Sequence, residues 1–204
     1  MCYSASASFI ASGGLALVGA ASFRVATKKE RALALIPIFF AIQQALEGIQ
    51  WLYLNQGLVC RPAGYGFLFF ALLLWPIYIP AMVYMFDRTR RSVTRYFVAA
   101  GFFLVAWYVF LLLTTPLTVG VVGRHIFYNP PGSFSGALLY IGVICGVTIL
   151  SSRCAIRWLG VLCFSTALLA VFISLSTAAS VWCFFAAVIS LSMYAALKYR
   201  WVAL

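Results

Sequence analysis

The sequence predicts an all-α fold, an integral membrane bundle of seven transmembrane helices, and three observations support this prediction. Hydrophobic residues make up 65% of the chain and charged residues only 8%, which is outside the range of soluble domains. The apolar residues form long runs, and about 20 such residues span the hydrocarbon core of a bilayer. The basic residues are collected in alternate connections between these runs. We therefore interpret all 204 residues as one membrane domain.

Seven apolar runs have roughly the length of a membrane span. They cover about residues 5–26, 33–54, 65–86, 96–115, 134–151, 157–176 and 179–198. Residues 158–197 are almost continuously apolar, but basic residues flank both ends of the stretch. Both ends should therefore lie on the same side, which requires two helices and a tight turn near residues 174–180.

The basic residues also predict the orientation of the chain. All but two of the fourteen follow the first, third, fifth and seventh runs. By the positive-inside rule the N-terminus is outside and the C-terminus is cytoplasmic, in a bacterial inner membrane that the chain crosses several times. The net charge of +11 is thus an orientation signal and not the footprint of a nucleic-acid-binding surface. The expected partners are the lipid bilayer and, as an open alternative, a second copy or another membrane protein.

Individual helices carry further signals. Helix 1 has small residues at intervals of four, which allow close helix packing: Ser4, Ser8, Ser12, Ala16 and Ala20. Helix 3 contains Pro76 and Pro80, which predict a kink near the middle of the membrane. The connection between helices 4 and 5, about residues 116–133, is the longest and holds the only histidine, His125.

Glu47 is the one acidic residue inside a predicted span. The chain has three acids, and Glu30 and Asp87 stand beside basic residues at helix ends. A charged group at membrane depth costs about 2.5 kcal/mol or more on insertion scales, so it has to face a partner or water. Gln43, Glu47 and Trp51 recur at intervals of four, which places them on one face of helix 2. We therefore expect Glu47 to point into the bundle as the main functional candidate.

The first functional hypothesis is a metal site near the outer face. Thiolate, imidazole and carboxylate groups are the usual zinc ligands, and cysteine with histidine also suits copper. Cys2, His125 and Cys183 are the predicted ligands, with Glu47 a further ligand or a general base acting on bound water. A heme held by His125 is a weaker alternative. Other residues are expected to line the surrounding pocket: Gln43, Gln44, Trp51, Arg124, Tyr128 and Trp182.

Two other functions fit the same residues. Glu47 with Gln43 and Gln44, beside a proline-kinked helix, could line a proton or cation path in a transporter or channel. The chain could instead be a non-catalytic membrane sensor or assembly subunit that binds lipid or a partner helix.

Purely structural roles compete with these hypotheses. Glu47 could pair with Arg124 as a buried ion pair. Cys2 and Cys60 are both expected outside, where they could form a disulfide. A membrane-embedded cysteine is most often a small apolar filler, and this is the expected role of Cys145 and Cys163.

Five sequence motifs resemble those of a family of small, uncharacterised bacterial integral membrane proteins. They are Met1-Cys2-Tyr3-Ser4-Ala5, the Gln43-Gln44-x-x-Glu47-Gly48-x-x-Trp51 segment, Trp75-Pro76, the segment from Gly123 to Tyr128, and the segment from Ser180 to Ala187. The resemblance covers nearly the whole chain. It implies no reaction, but it marks the same residues that the predicted topology places at the outer face.

Overall fold

The structure, a computed structural model, describes residues 4–129, 134–173 and 177–201. Most of these residues are helical, which confirms the predicted helical class. In chain order the elements are α1 (Ala5–Val25), α2 (Arg31–Leu54), α3 (Arg61–Leu68), a π-helical segment (Phe69–Leu74), α4 (Trp75–Phe86), α5 (Arg91–Thr114), β1 (Thr118–Val122), β2 (His125–Asn129), α6 (Phe134–Ile149), α7 (Cys154–Ile173), α8 (Ala178–Ser190) and α9 (Ser192–Lys198).

Within the described residues, six helical segments are long and apolar enough to cross a membrane. They are Ala5–Val25, Arg31–Leu54, Arg61–Phe86, Arg91–Thr114, Cys154–Ile173 and Ser180–Lys198. The third joins α3, the π segment and α4 into one rod, and the sixth joins α8 and α9. The fifth predicted span corresponds to α6, which has only 16 residues. The six long helices indicate a multi-pass membrane protein.

A β-hairpin between α5 and α6 is the main departure from the expected all-helical fold. Strands β1 and β2 pair antiparallel, with Val119 opposite Tyr128 and Val122 opposite His125. Gly123 has a φ of 63°, which residues other than glycine rarely adopt. A glycine with positive φ at the first central position is typical of a type II′ turn, and this turn suits the twist of paired strands. Flanking valine, isoleucine, phenylalanine and tyrosine residues also favour strands.

The π segment explains how the chain accommodates the proline at the start of α4. In this turn Trp75 donates its backbone N–H to the carbonyl of Phe70, five residues back. The next carbonyl, that of Ala71, would pair with Pro76 in the same pattern, but proline has no N–H. The hydroxyl of Tyr140 in α6 donates to the Ala71 carbonyl instead. The irregular turn is therefore satisfied by a neighbouring helix, as a buried backbone carbonyl requires.

Close helix contacts fix the packing of the bundle. The Ser12 hydroxyl of α1 donates to the Ala41 carbonyl of α2 at 2.8 Å, which agrees with the small-residue stripe predicted for helix 1. Gly101 of α5 lies against the backbone of α4, where an added Cβ would be 2.0 Å from the Pro76 carbonyl oxygen. Helix α6 packs between α4 and α7, and α8 packs between α7 and α2. Helix α2 thereby becomes an internal helix.

The end of the bundle that carries most basic residues, here called the basic end, consists of the connections 26–30, 87–90 and 150–153 and residues 199–201. Glu30 accepts hydrogen bonds from the Thr27 N–H and hydroxyl and pairs with Arg200 at 3.0 Å. Asp87 accepts from Ser151 and from both the N–H and the hydroxyl of Ser152. These bonds connect the loops of distant helices to one another.

The polar contacts at the basic end favour the ionised form of both acids. Burial acts to raise the pKa of Asp87, but hydrogen bonds from Ser152, Ser151 and the Arg90 N–H outweigh it. The pKa of Asp87 therefore lies below its ordinary value of 3.8. For Glu30, burial again acts to raise the pKa, while Thr27 and Arg200 lower it below the ordinary value of 4.5. Both acids are therefore ionised at neutral pH.

Candidate functional site

The central part of α2 carries a set of buried polar side chains. Gln43, Gln44, Glu47 and Gln50 all have a relative exposure of 0%. Their spacing places them on one broad face of the helix, as predicted from the sequence. This face is turned into the bundle, and α1 packs on the adjacent side of α2, where Phe9 lies against Gly48. The four side chains therefore lie within an otherwise apolar membrane-spanning segment.

Glu47 contacts α8 across the bundle. Its Oε1 accepts a hydrogen bond from the Ser180 hydroxyl at 2.6 Å, which is a short, charge-assisted distance. Its Oε2 lies 3.4 Å from the Nε2 of Gln44, one turn away on the same helix. Both of these partners are side chains that can rotate and can reverse donor and acceptor roles. These two contacts can therefore adapt to a change in the charge of the carboxylate.

A second contact fixes the register between α2 and α8. The Oε1 of Gln43 accepts from the Trp75 indole N–H at 3.0 Å, and the Gln43 amide lies beside the sulfur of Cys183. Position 43 therefore meets position 183, and position 47 meets position 180, as expected for antiparallel helices. One further turn along, the same register brings Gln50 level with Thr177. We call these six α2 and α8 residues the polar seam: Gln43, Glu47, Gln50, Thr177, Ser180 and Cys183.

Several buried polar atoms in and beside the seam have no hydrogen-bond partner within the described part of the chain. They are the Nε2 and Oε1 of Gln50, the indole nitrogen of Trp51 and the hydroxyl of Thr177. Each such atom costs about 1–3 kcal/mol when it is buried without a partner. Groups of this kind usually contact an ordered water, an ion or a ligand. These atoms make the seam the candidate site in this structure for a bound polar group.

The β-hairpin covers the seam at the end of the bundle opposite the basic end. This hairpin end comprises the connections 55–60 and 115–129 and the start of α8. Tyr128 stacks on Phe67 of α3 with ring centroids 4.4 Å apart and planes 9° apart. Both rings belong to an apolar cluster that also contains Trp51, Ile126 and Cys183. The hairpin is thus packed onto the top of α2, α3 and α8 rather than projecting away from them.

His125 and Arg124 occupy different environments although they are adjacent. His125 is 9% exposed at the start of β2, and burial lowers its pKa, which favours the neutral imidazole. Arg124 lies exposed at the hairpin turn. No ion pair joins Arg124 to Glu47 among the contacts between residues 4–129, 134–173 and 177–201. The alternative in which these two residues form a buried ion pair therefore has no support in the geometry.

The structure separates the other predicted site residues into three groups. Glu47, Gln43 and Cys183 lie together in the seam with Gln44 beside Glu47, and Trp51 and Tyr128 lie in the neighbouring apolar cluster. Trp182 faces a different space, where its indole N–H donates to the Cys163 carbonyl at 3.0 Å. Cys2 lies outside the described residues. Both the metal ligand at Cys2 and its disulfide with the half-buried Cys60 thus stay predictions.

The described residues do not assemble a metal site on their own. Among residues 4–129, 134–173 and 177–201, no group of three histidine, cysteine, aspartate or glutamate side chains is placed to hold a metal ion. The predicted quartet includes Cys2, so the zinc or copper hypothesis depends on a residue beyond that part of the chain.

Sequence reasoning missed two residues of the seam. Thr177 was expected only as part of a turn near residues 174–180, and Ser180 only as part of that turn, of the seventh span and of a family motif. Each is about 1% exposed, and Ser180 bonds to Glu47 of α2. A signal was available, because Thr177, Ser180 and Cys183 recur at intervals of three on an otherwise apolar helix. When polar side chains share one face of an apolar helix, that face is a candidate to contact a buried acid on a neighbouring helix.

Comparison with known proteins identifies the family. The profile described as a family of unknown function (DUF6629) matches residues 1–203, and the chain belongs to this family. No curated protein matches the sequence, and no solved structure matches the fold.

Proposed function

We propose that this DUF6629 member is an integral membrane protein that binds a small cation at Glu47 in the polar seam. One observation carries the proposal. A carboxylate that is 0% exposed within a membrane-spanning helix is held by rotatable side chains and lies beside buried polar atoms that have no partner among the described residues. An intramembrane acid of this kind usually marks an ion or proton site.

The chemistry of the seam favours a hard cation. Glu47 supplies carboxylate oxygens, Gln50 an amide oxygen and Thr177 a hydroxyl oxygen. Protons and alkali or alkaline-earth ions prefer such oxygen ligands, whereas zinc and copper prefer nitrogen and sulfur. Glu47 would exchange a proton or metal cation while Ser180 and Gln44 rotate to follow its change of charge.

Zinc or copper binding is the second candidate, and one observation favours it. Cys183 lies in the same seam as Glu47, so two of the four predicted ligands share one compartment. In this candidate Cys2 and His125 complete the ligand set. Elemental analysis of protein purified without chelator tests it. About one zinc or copper per chain, lost in Cys2→Ser and Cys183→Ser, supports this candidate, and metal-free protein removes it.

The proposed topology has seven spans, with α6 as the short fifth span. The hairpin end would face outside and the basic end the cytoplasm of a bacterium. The collection of basic residues at one end supports this orientation. Cys154 is exposed at the basic end, and Cys60 lies at the hairpin end. A membrane-impermeant thiol reagent applied to intact cells should label Cys60 in a variant lacking the other cysteines. Labelling of Cys154 alone would reverse the orientation.

The cation proposal is tested by thermal unfolding of detergent-purified protein in a series of chloride salts with choline as the baseline and over a range of pH. A bound cation raises the free energy of unfolding by RT ln(1 + [L]/Kd), about 2.7 kcal/mol at a hundredfold excess over Kd. We expect one cation, or the proton, to stabilise the wild type and to have no such effect on Glu47→Gln.

Glu30→Gln is the matched control. It makes the same change at a buried acid whose partner, Arg200, is known, and it should retain the cation response. If wild type and Glu47→Gln respond identically to every salt and to pH, Glu47 is not a cation site. The chain would then be better described as a membrane sensor or assembly subunit that binds lipid or a partner helix.

A further inference from the structure

A second internal space lies beneath the polar seam. It is a partly open cavity of about 100 Å³ between the helices, with walls from α2, α4, α6, α7, α8 and α9. Trp75 and Cys183 form its upper wall, and both of these residues contact Gln43 of the seam. Leu33, Ile156 and Met193 form its lower wall near the basic end. Between Cys183 and Met193 the helix rises about 15 Å, so the cavity covers much of the distance from the seam to the basic end.

The polar side chains in the cavity wall direct their hydrogen atoms away from the space. Each donates to a group in the surrounding protein: Tyr140 to the Ala71 carbonyl, Thr148 to the Ile144 and Cys145 carbonyls, Ser190 to the Ala187 carbonyl, Trp182 to the Cys163 carbonyl and Trp75 to Gln43. The remaining lining residues are apolar or are cysteines, which are weak donors. The cavity therefore offers water few partners, although several of its side chains are polar.

The seam and the cavity thus differ in whether they offer hydrogen-bonding groups to water. Buried water needs about two to four hydrogen-bond partners, and a cavity lined by apolar groups stays dry. The seam has amide, indole and hydroxyl groups without partners among the described residues, while the hydroxyl and indole groups around the cavity are all engaged. The polar groups of the seam therefore suit a cation, whereas the apolar lining of the cavity does not.

We infer that the central cavity is a dry barrier that separates Glu47 from the basic end, so that Glu47 exchanges its cation only with the hairpin end. This inference rests on the proposed cation site and specifies its access. The seam ends at Thr177, at the first turn of α8, whereas the path toward the basic end crosses the apolar cavity. The protein would therefore bind a cation from one side and not conduct it across the membrane.

Cysteine labelling along α8 tests the barrier in sealed vesicles. Ser180→Cys lies in the seam, and Ala186→Cys lies in the cavity wall, about two turns deeper. Each substitution is made in a variant whose native cysteines are replaced. Two control variants, which retain only Cys60 or only Cys154, report which side of the membrane the reagent reaches. The probes are a cationic, membrane-impermeant methanethiosulfonate and the uncharged N-ethylmaleimide, which confirms that each thiol is present and reactive.

We expect the cationic reagent to label Ser180→Cys only from the side on which it labels Cys60, and to label Ala186→Cys from neither side. Reaction of Ala186→Cys with the cationic reagent, or of Ser180→Cys from the Cys154 side, would overturn the barrier. Failure of Ser180→Cys to react from either side would overturn access from the hairpin end. If either variant fails to fold, Thr177→Cys replaces the seam position and Ile189→Cys the cavity position.

The proposed barrier and the proposed cation site are contradicted by different experimental results. Loss of the difference between wild type and Glu47→Gln in thermal unfolding would remove the cation site and leave the labelling pattern unaffected. Conversely, wild-type protein in liposomes should hold a cation or pH gradient as well as protein-free liposomes do. A leak that Glu47→Gln abolishes would overturn the barrier while supporting the site, and would identify the protein as a channel or transporter.

Discussion

Asp87 and Glu47 are both fully buried carboxylates, yet they lie at opposite ends of the bundle and are held by different kinds of donor. Each oxygen of Asp87 faces a backbone N–H, that of Arg90 on Oδ1 and that of Ser152 on Oδ2. Backbone groups cannot reverse their role, so this site accepts only an ionised acid. The described partners of Glu47 are a hydroxyl and a side-chain amide, which can rotate. If Glu47 is the exchangeable charge that we propose, its described donors distinguish it from the structural charge of Asp87, whereas burial does not.

The largest expected effect is that of replacing each acid by its amide. Asp87→Asn puts an NH₂ group against a backbone N–H in either orientation of the amide, and we expect a loss of about 2–3 kcal/mol in the free energy of unfolding. Glu47→Gln, the matched change, should cost less than about 1 kcal/mol because Ser180 and Gln44 can reorient. Thermal unfolding of the two variants measures the difference. Equal losses would contradict the distinction between the two sites.

Acid should weaken the basic end through its two carboxylates, Asp87 and Glu30. The pKa of Asp87 is lowered in the folded state, so its contribution to stability is present above its ordinary value of 3.8 and is lost as the pH falls below that value. Glu30 acts in the same direction from its ordinary value of 4.5. We expect the melting temperature to fall as the pH decreases from about 5 to about 3. The slope should be shallower in Asp87→Asn, and an unchanged slope would show that other groups dominate.

Gln50→Leu should increase the stability of the protein, in contrast to the substitutions at Asp87 and Glu47. Both polar ends of the Gln50 amide are buried without a partner among the described residues. In choline chloride, where the proposed cation is not bound, an apolar side chain of similar size should therefore raise the free energy of unfolding by about 1 kcal/mol. The control is Gln56→Leu, at an exposed position in the next loop, which should have no measurable effect. A loss of stability in Gln50→Leu would show that the amide has a partner, and the seam would then be a closed network like that around Asp87.

The smallest effect is expected at the ion pair between Glu30 and Arg200. The Arg200 side chain is 54% exposed, and exposed ion pairs contribute about 0.2–1 kcal/mol. Arg200 also has a φ of 58° at the end of α9, where its N–H and that of Trp201 bond back to α9 carbonyls. Arg200→Ala should therefore lower stability slightly, and Arg200→Gly should recover about 1 kcal/mol relative to alanine by removing the left-handed strain. Identical melting temperatures for the two variants would contradict this account.

The sequence predicted the features that depend only on residues close together in the chain, such as the helices and their polar faces. Hydropathy placed the long helices, because each span must be apolar by itself. The common face of Gln43 and Glu47 followed from helical periodicity alone. The contact between Glu47 and Ser180 joins residues far apart in the chain, and a helix face does not specify which helix will meet it. The position of Asp87 beside basic residues likewise gave no indication that its partners would be Ser151 and Ser152.

The hairpin was missed for a different reason. Composition predicted helices throughout, and the connection between helices 4 and 5 was interpreted only as a loop that carries polar residues. The glycine at Gly123, with β-branched and aromatic residues on both sides, was a sufficient local signal for a two-residue turn. The neighbouring Arg124 and His125 were instead interpreted as site residues, with Arg124 in a pocket and His125 as a metal ligand. The structure places Arg124 at the exposed turn and buries His125 by strand pairing.

The π segment sets the rotational phase of half a helix. Its i to i+5 bonding accommodates one residue more than an α-helix of the same length would hold. Deleting a single residue there, such as Leu73, would restore regular α-helical bonding and rotate α4 by about 100° relative to α3. Trp75 would then turn away from Gln43, and Pro76 would turn away from Gly101. The one additional residue in the π segment thus determines whether Trp75, in the upper wall of the central cavity, contacts Gln43 of the seam.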